Sequence, residues 1–119
     1  MHSLLVWAVM LVSVGACARD DGGDVSIASF AVYTLSRGSG VPSAARAALE
    51  TAERILESDR KQGVKVVIHK SRIGLEGETK LCAEYADPHA GARTFARVEK
   101  VVRGVELVNL VIEGCKEGR

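Results

Sequence analysis

The residues able to perform acid, base or nucleophilic chemistry are few in this chain. Its three histidines are His2, His69 and His89. A serine or cysteine nucleophile needs a neighbouring base that activates it, and the sequence places none of these histidines in a recognisable arrangement of that kind. We therefore predict no catalytic residue, no cofactor and a non-enzymatic role.

The sequence does not predict a metal site either. His69, Cys82 and Glu84 have the parity to share one face of a β-hairpin. A metal site needs at least three converging ligands, and the paired cysteines typical of small metal-carrying domains are absent. We expect a half-polar sheet face with His69 in solvent.

One loop has the composition of an anion-binding site. Arg37, Gly38, Ser39 and Gly40 lie between a predicted strand and a predicted helix, where free N–H groups and the helix dipole favour an anion. The location resembles the phosphate loop of acylphosphatases, but that family also needs an asparagine near its second strand. The one asparagine here is Asn109, in the last predicted strand. Small-anion binding at residues 37–40 is thus an alternative function, and a plain turn is the other interpretation.

The amino terminus is an uncharged apolar run, residues 4–14. It is too short to cross a bilayer, which takes about 20 apolar residues, and it matches the apolar part of a secretory signal. The residues Val14, Gly15, Ala16 and Cys17 resemble the lipobox of bacterial lipoproteins. The resemblance covers this segment alone. It implies that residues 1–16 are removed and that Cys17 carries the lipid that anchors the protein to a membrane.

The same resemblance implies a location in the bacterial cell envelope, facing the periplasm. Ala18 and Arg19 follow Cys17 without the aspartate that marks inner-membrane retention in enteric bacteria, which favours the outer membrane. Two alternatives remain open: an ordinary secretory signal cleaved near Ala16 or Ala18, and an amino-terminal helix buried in the fold.

The remaining chain predicts one α+β domain over residues 26–115, preceded by a polar tether at 17–25 and followed by a polar tail at 116–119. Periodicity and β-rich runs place strands at 26–36, 64–69, 81–85 and 105–113 and helices at 43–59 and 88–103. This order indicates a ferredoxin-like split βαβ fold, with a four-stranded antiparallel sheet and two helices on one face. A cystatin-like fold is the alternative, and it requires residues 87–104 to be a strand.

If Cys17 carries the lipid, two cysteines remain, Cys82 and Cys115. In an oxidising compartment an even number of cysteines suggests a disulfide between them. In the predicted topology one strand separates them, and alternate strands are about 9–10 Å apart, beyond the roughly 7 Å Cα separation that a disulfide tolerates. A bridge therefore requires the carboxy-terminal tail to fold over the sheet. Free thiols and an intermolecular link are the alternatives.

The formal net charge of +1 produces no extended positive potential that would attract nucleic acid, so we predict no nucleic-acid partner. The last strand is apolar on both faces, which suggests that a second protein or a second copy covers the open side of the sheet. The predicted contact residues are Leu75, Val108, Leu110 and Ile112. The expected partners are thus the membrane, through the anchor, and an envelope protein or a homodimer.

Overall fold

The computed structural model of the protein describes residues 25–116. Six elements follow one another along this part of the chain: β1 (Ser29–Thr34), α1 (Ser43–Lys61), β2 (Val66–Arg72), β3 (Thr79–Tyr85), α2 (Pro88–Val102) and β4 (Val108–Val111). The predicted signal, Cys17 and most of the tether lie outside the described residues, as does the end of the predicted tail.

The four strands form one antiparallel sheet in the order β2-β3-β1-β4. Both helices pack against strand residues of a single parity, so they cover one face of the sheet. This is a ferredoxin-like α+β fold, and the prediction is confirmed. The cystatin-like alternative is wrong, because Pro88–Val102 is a helix.

The core lies between the helices and the covered face. Phe30, Val32 and Leu81 are completely buried there, as the alternation of side chains along a strand requires. The Phe30 ring meets the edge of Phe95 from α2 at a centroid distance of 5.5 Å. Burial of one large apolar side chain contributes about 1.5–3 kcal/mol, so this layer fixes the helices on the sheet.

The helix ends follow from local sequence signals. At the end of α1 the Val64 N–H donates to the Asp59 carbonyl at 3.0 Å and the Gly63 N–H donates to the Arg60 carbonyl at 3.1 Å. Gly63 has a φ of 91°, the left-handed conformation that glycine adopts most readily. At the start of α2 the Asp87 carboxylate accepts the His89 N–H at 2.9 Å, and aspartate is one of the residues that cap helices in this way.

Gly91 of α2 is required by packing. A Cβ at this position would lie 1.8 Å from the Ile27 carbonyl oxygen. The Ile27 N–H also donates to the Pro88 carbonyl at 3.0 Å. The chain that leads into β1 is therefore held against the first turn of α2, and this contact fixes where the domain begins in space.

The last strand is shorter than predicted. Gly104 and Leu107 adopt positive φ angles of 76° and 62°, so the chain turns here and β4 begins only at Val108. Val108 and Leu110 lie on the helix-covered side and pack against the core. Their predicted position on the open face is wrong, because alternation along a strand does not reveal which of two apolar faces the helices cover.

Candidate functional site

The open face, which is the side of the sheet away from the helices, is crossed by the chain's own carboxy-terminal segment (residues 112–116). A disulfide joins Cys82 of β3 to Cys115 with a Cα separation of 5.7 Å. Cys115 packs with Cys82 and with Ala31 of the intervening strand β1. The segment thus passes over β1, as the predicted bridge requires, and the small side chain of Ala31 leaves room for it.

A second contact holds this segment on the sheet. The Tyr33 hydroxyl of β1 donates a hydrogen bond to the Glu113 carboxylate, and the Lys80 ammonium lies 5.7 Å from the centre of the Tyr33 ring. The hydrogen bond to Glu113, followed by desolvation, raises the pKa of Tyr33 above its usual value. Both contacts lie on the open face, so the middle of that face is occupied by residues of the same chain.

The predicted contact residues therefore divide into two groups. Val108 and Leu110 belong to the core side of β4, whereas Leu75 and Ile112 are exposed. Ile112 begins the carboxy-terminal segment next to β4. Leu75 lies far from it, in the turn that joins β2 to β3.

The hairpin tip (residues 73–78) presents two large aliphatic side chains to solvent. Leu75 is fully exposed and Ile73 is 45% exposed. The tip is closed by the Ile73 N–H, which donates to the Glu78 carbonyl at 2.9 Å, and by the Glu76 N–H, which donates to the Glu78 carboxylate at 2.8 Å. The two aliphatic residues are therefore displayed on a turn with defined hydrogen bonds.

The hairpin tip also contacts the loop that carries the predicted anion-binding residues. The Gly40 N–H donates to Glu76 Oε2 at 2.9 Å, and the Gly38 N–H donates to Ser36 Oγ at 3.3 Å. Arg37 lies 4.0 Å from the Glu106 carboxylate, with both side chains largely exposed. A carboxylate of the chain itself thus takes one of the amides that would bind an external anion, and it ties residues 37–40 to the hairpin tip.

The residues considered for a metal site share a face, as predicted. His69 pairs in register with Cys82, and Val67 pairs with Glu84, so these side chains lie on the open face. The Cys82 thiolate is not available as a ligand because the residue is in the disulfide. Within residues 25–116 there is no group of three or more histidine, cysteine or acidic side chains that could hold a metal ion.

A buried polar cluster around Asp59 joins three elements. Asp59 is only 6% exposed, and its carboxylate accepts hydrogen bonds from the Tyr85 hydroxyl at 2.8 Å, the Thr94 hydroxyl at 2.5 Å and the Arg97 guanidinium at 3.1 Å. Burial raises the pKa of Tyr85 well above its usual value, and the bond to Asp59 raises it further. With each of its partners satisfied, the cluster has a structural role in fixing α1, α2 and β3 together.

The position of Asp59 in the apolar pattern of α1 is a sequence signal for this cluster. Asp59 follows Ala52 and Leu56 at intervals of four and three, so it continues the apolar stripe of α1. An acidic residue inside such a stripe is either misplaced or paired. Its partners come from β3 and α2, and one chain position does not identify them.

No model of a known protein family matches the chain, and no curated protein shows significant similarity to it. Among the described residues, no helix has the length and apolar character needed to cross a membrane. The site must therefore be interpreted from its own chemistry.

Proposed function

We propose that this protein is a small, non-enzymatic lipoprotein of the bacterial cell envelope that binds a protein partner through its hairpin tip. The observation that carries the proposal is the exposure of Leu75 and Ile73 on a hydrogen-bonded turn. Leaving two large aliphatic side chains in water forgoes about 1.5–3 kcal/mol for each. A partner that covers them recovers this free energy.

The arrangement of the tip supports protein binding over a merely tolerated turn. A turn that orders only on binding would lose part of its affinity to conformational entropy, whereas here Glu78 and Glu76 already hold the backbone. The surrounding glutamates also give the apolar pair a polar rim, which is typical of interfaces between proteins that also exist apart.

The anchoring part of the proposal derives from the sequence. The apolar run and the residues Val14, Gly15, Ala16 and Cys17 support removal of a signal and acylation of Cys17. A periplasmic compartment also accounts for a disulfide in so small a domain. Attachment to the outer membrane is part of the same proposal.

The alternative, in which residues 37–40 bind a small anion, has less support. The Gly40 amide is already bonded to the Glu76 carboxylate, so an anion would have to displace it. Arg37→Ala would remove any stabilisation by phosphate, and a melting temperature that does not respond to phosphate in the wild-type protein would contradict this alternative.

Site-specific photocrosslinking tests the hairpin tip. A photoreactive residue placed at Leu75 of the full-length chain in a Gram-negative host should give one discrete crosslinked product, and Ile73→Glu should abolish it because a charge is then buried in the interface. The same probe at Ala96, an exposed position of α2, is the control.

The mass of the product separates the two expected partners. A product of twice the mass of the chain indicates a homodimer, and any other single mass indicates a different envelope protein. If probes at Leu75 and Ala96 give the same diffuse pattern, the tip is not an interface and the proposal is wrong.

A further inference from the structure

The described chain begins at one end of the sheet, which we call the base. It is the end at which β2 starts and at which β3 and β4 finish. The Tyr85 N–H donates to the Ala28 carbonyl at 2.7 Å, and the Ala86 N–H donates to the Lys65 carbonyl at 3.1 Å. These bonds fix the residues before β1 beside the end of β3, and the end of β3 beside the start of β2, so the tether reaches the domain at the base.

Exposed aliphatic residues are concentrated at the base. Of the six exposed large hydrophobic residues within residues 25–116, two belong to the hairpin tip and three, Val25, Val67 and Ile112, lie toward the base. Val67 is 53% exposed and Ile112 is 61% exposed. Register places Val67 opposite Glu84, which in turn pairs with Ser29 at the start of β1. Val25 lies where the described chain begins, whereas the sixth residue, Val111, pairs with Ala31 midway along the sheet.

Basic side chains lie next to Val67 at the β2 side of the base. The exposed basic residues at the end of α1 and before β2 are Arg60, Lys61 and Lys65. Within residues 25–116, Lys61 and Lys65 form no ion pair, whereas Arg60 pairs with Glu57 at 2.5 Å. A shallow hollow of about 510 Å³ between the end of α1 and β2 is lined by two of these basic residues, with Glu84 as its acid.

One acidic side chain, Glu84, lies beside Val67 and lines the hollow with Arg60 and Lys65. The other acidic groups near the base are engaged, because Asp87 caps α2 and Asp59 is buried in its own cluster. The base therefore combines exposed aliphatic side chains with free ammonium groups, the pairing that favours an anionic lipid surface.

The length of the tether brings this surface close to the anchor. Cys17 lies eight residues before Val25, a span of at most about 29 Å when fully extended. The tether carries aspartates at positions 20, 21 and 24 against one basic residue, Arg19, so a net positive charge for such a contact must come from the domain.

We propose that the base of the domain rests on an anionic lipid surface, with the exposed aliphatic residues at the headgroup level and the lysines against lipid phosphates. This inference depends on the lipid anchor at Cys17 that belongs to the proposed function. The seven residues of β2 span about 23 Å, so this orientation holds the hairpin tip away from the membrane. The anchored end and the partner-binding end are then opposite ends of one sheet.

Lysine footprinting of the full-length chain tests this orientation. The protein is mixed with vesicles of phosphatidylcholine, or of phosphatidylcholine with phosphatidylglycerol, and treated with an amine-acylating reagent that does not cross membranes. On the anionic vesicles, Lys61 and Lys65 should be acylated about threefold more slowly than on neutral ones. Lys100, exposed on α2, should react equally on both.

A pair of variants assigns the protection to charge at the base. Lys65→Glu should restore much of the labelling of Lys61 on anionic vesicles, whereas Lys100→Glu should leave the protection of Lys61 and Lys65 unchanged. Equal labelling of the base lysines on both kinds of vesicle overturns the proposal, and so does equal protection of Lys100.

The anchor is tested separately on the same samples. The intact mass shows whether residues 1–16 are removed and whether Cys17 is acylated. An unmodified Cys17 overturns the lipoprotein proposal, while the comparison of the two vesicle types still decides whether the base binds anionic lipid, because the vesicles can be supplied in excess.

Discussion

At the scale of single residues, Asp59 shows how one side chain joins separate elements. It belongs to α1 and receives hydrogen bonds from β3 and α2. Buried charges are costly unless paired and hydrogen-bonded, and here each group that faces the carboxylate is a donor. The ion pair of Lys70 with Glu53 at 2.9 Å differs from this buried cluster, because both of its side chains are partly exposed to solvent.

Asp59→Ala should lower the free energy of unfolding by about 2–4 kcal/mol, because the buried hydroxyls of Tyr85 and Thr94 lose their acceptor and Arg97 loses its partner. Urea titration of the variant and the wild-type protein measures this difference. Glu53→Ala is the matched control, with an expected cost of about 0–1 kcal/mol for a surface ion pair. Equal losses in the two variants would contradict the structural role of Asp59.

At the scale of secondary-structure elements, the carboxy-terminal segment is as much a part of the sheet's open face as the strands beneath it. The sequence separation of 33 residues between its cysteines means that the bridge closes a loop containing α2 and β4. In the chain-entropy model, a disulfide stabilises the fold by restricting such a loop in the unfolded chain. The segment also covers Ala31, whose apolar side chain would otherwise be exposed to solvent on the open face.

Cys115→Ser should therefore lower the free energy of unfolding by about 3–4 kcal/mol and release residues 112–116 from the open face. Denaturant unfolding measures the first effect, and increased binding of a dye specific for apolar surface measures the second. Glu113→Gln is the milder control, because it changes the contact to Tyr33 and leaves the bridge. If the Cys115 variant binds no more dye than the wild type, the segment does not cover an apolar surface.

At the scale of the whole molecule, stability should respond to alkaline pH through the chain's two tyrosines. The pKa values of Tyr33 and Tyr85 are both raised above 10.0, the first by the bond to Glu113 and the second by burial. Folding therefore favours the neutral phenols. Their contribution is complete below pH 10 and is lost as the pH rises through the folded-state pKa values.

The free energy of unfolding should accordingly fall above pH 10, with Tyr85→Phe showing a smaller fall than the wild type. Absorbance of tyrosinate gives the check: both phenols should ionise above pH 10 in the folded protein and near pH 10 in urea. Tyr33→Phe isolates the signal of Tyr85. A folded-state midpoint at or below that of the unfolded chain would contradict the buried position of Tyr85.

The whole molecule is also organised along the sheet. The residues that lead to the tether lie at the base, and Leu75 lies at the opposite end of the hairpin formed by β2 and β3. The two proposed contacts, with lipid and with a protein, therefore lie at opposite ends of the same sheet.

Apolar periodicity and signals such as Asp87 before Pro88 act over a few neighbouring residues, so the order of residues alone predicts the element order, the ferredoxin-like fold and the start of α2. The same order of residues indicates that a disulfide would require the tail to cross the sheet. The three-dimensional packing was needed to show that Cys115 makes this crossing over Ala31, that Val108 and Leu110 face the helices, and that Asp59 finds its partners. Each of these depends on contacts between residues distant in the chain, and local periodicity carries no information about them.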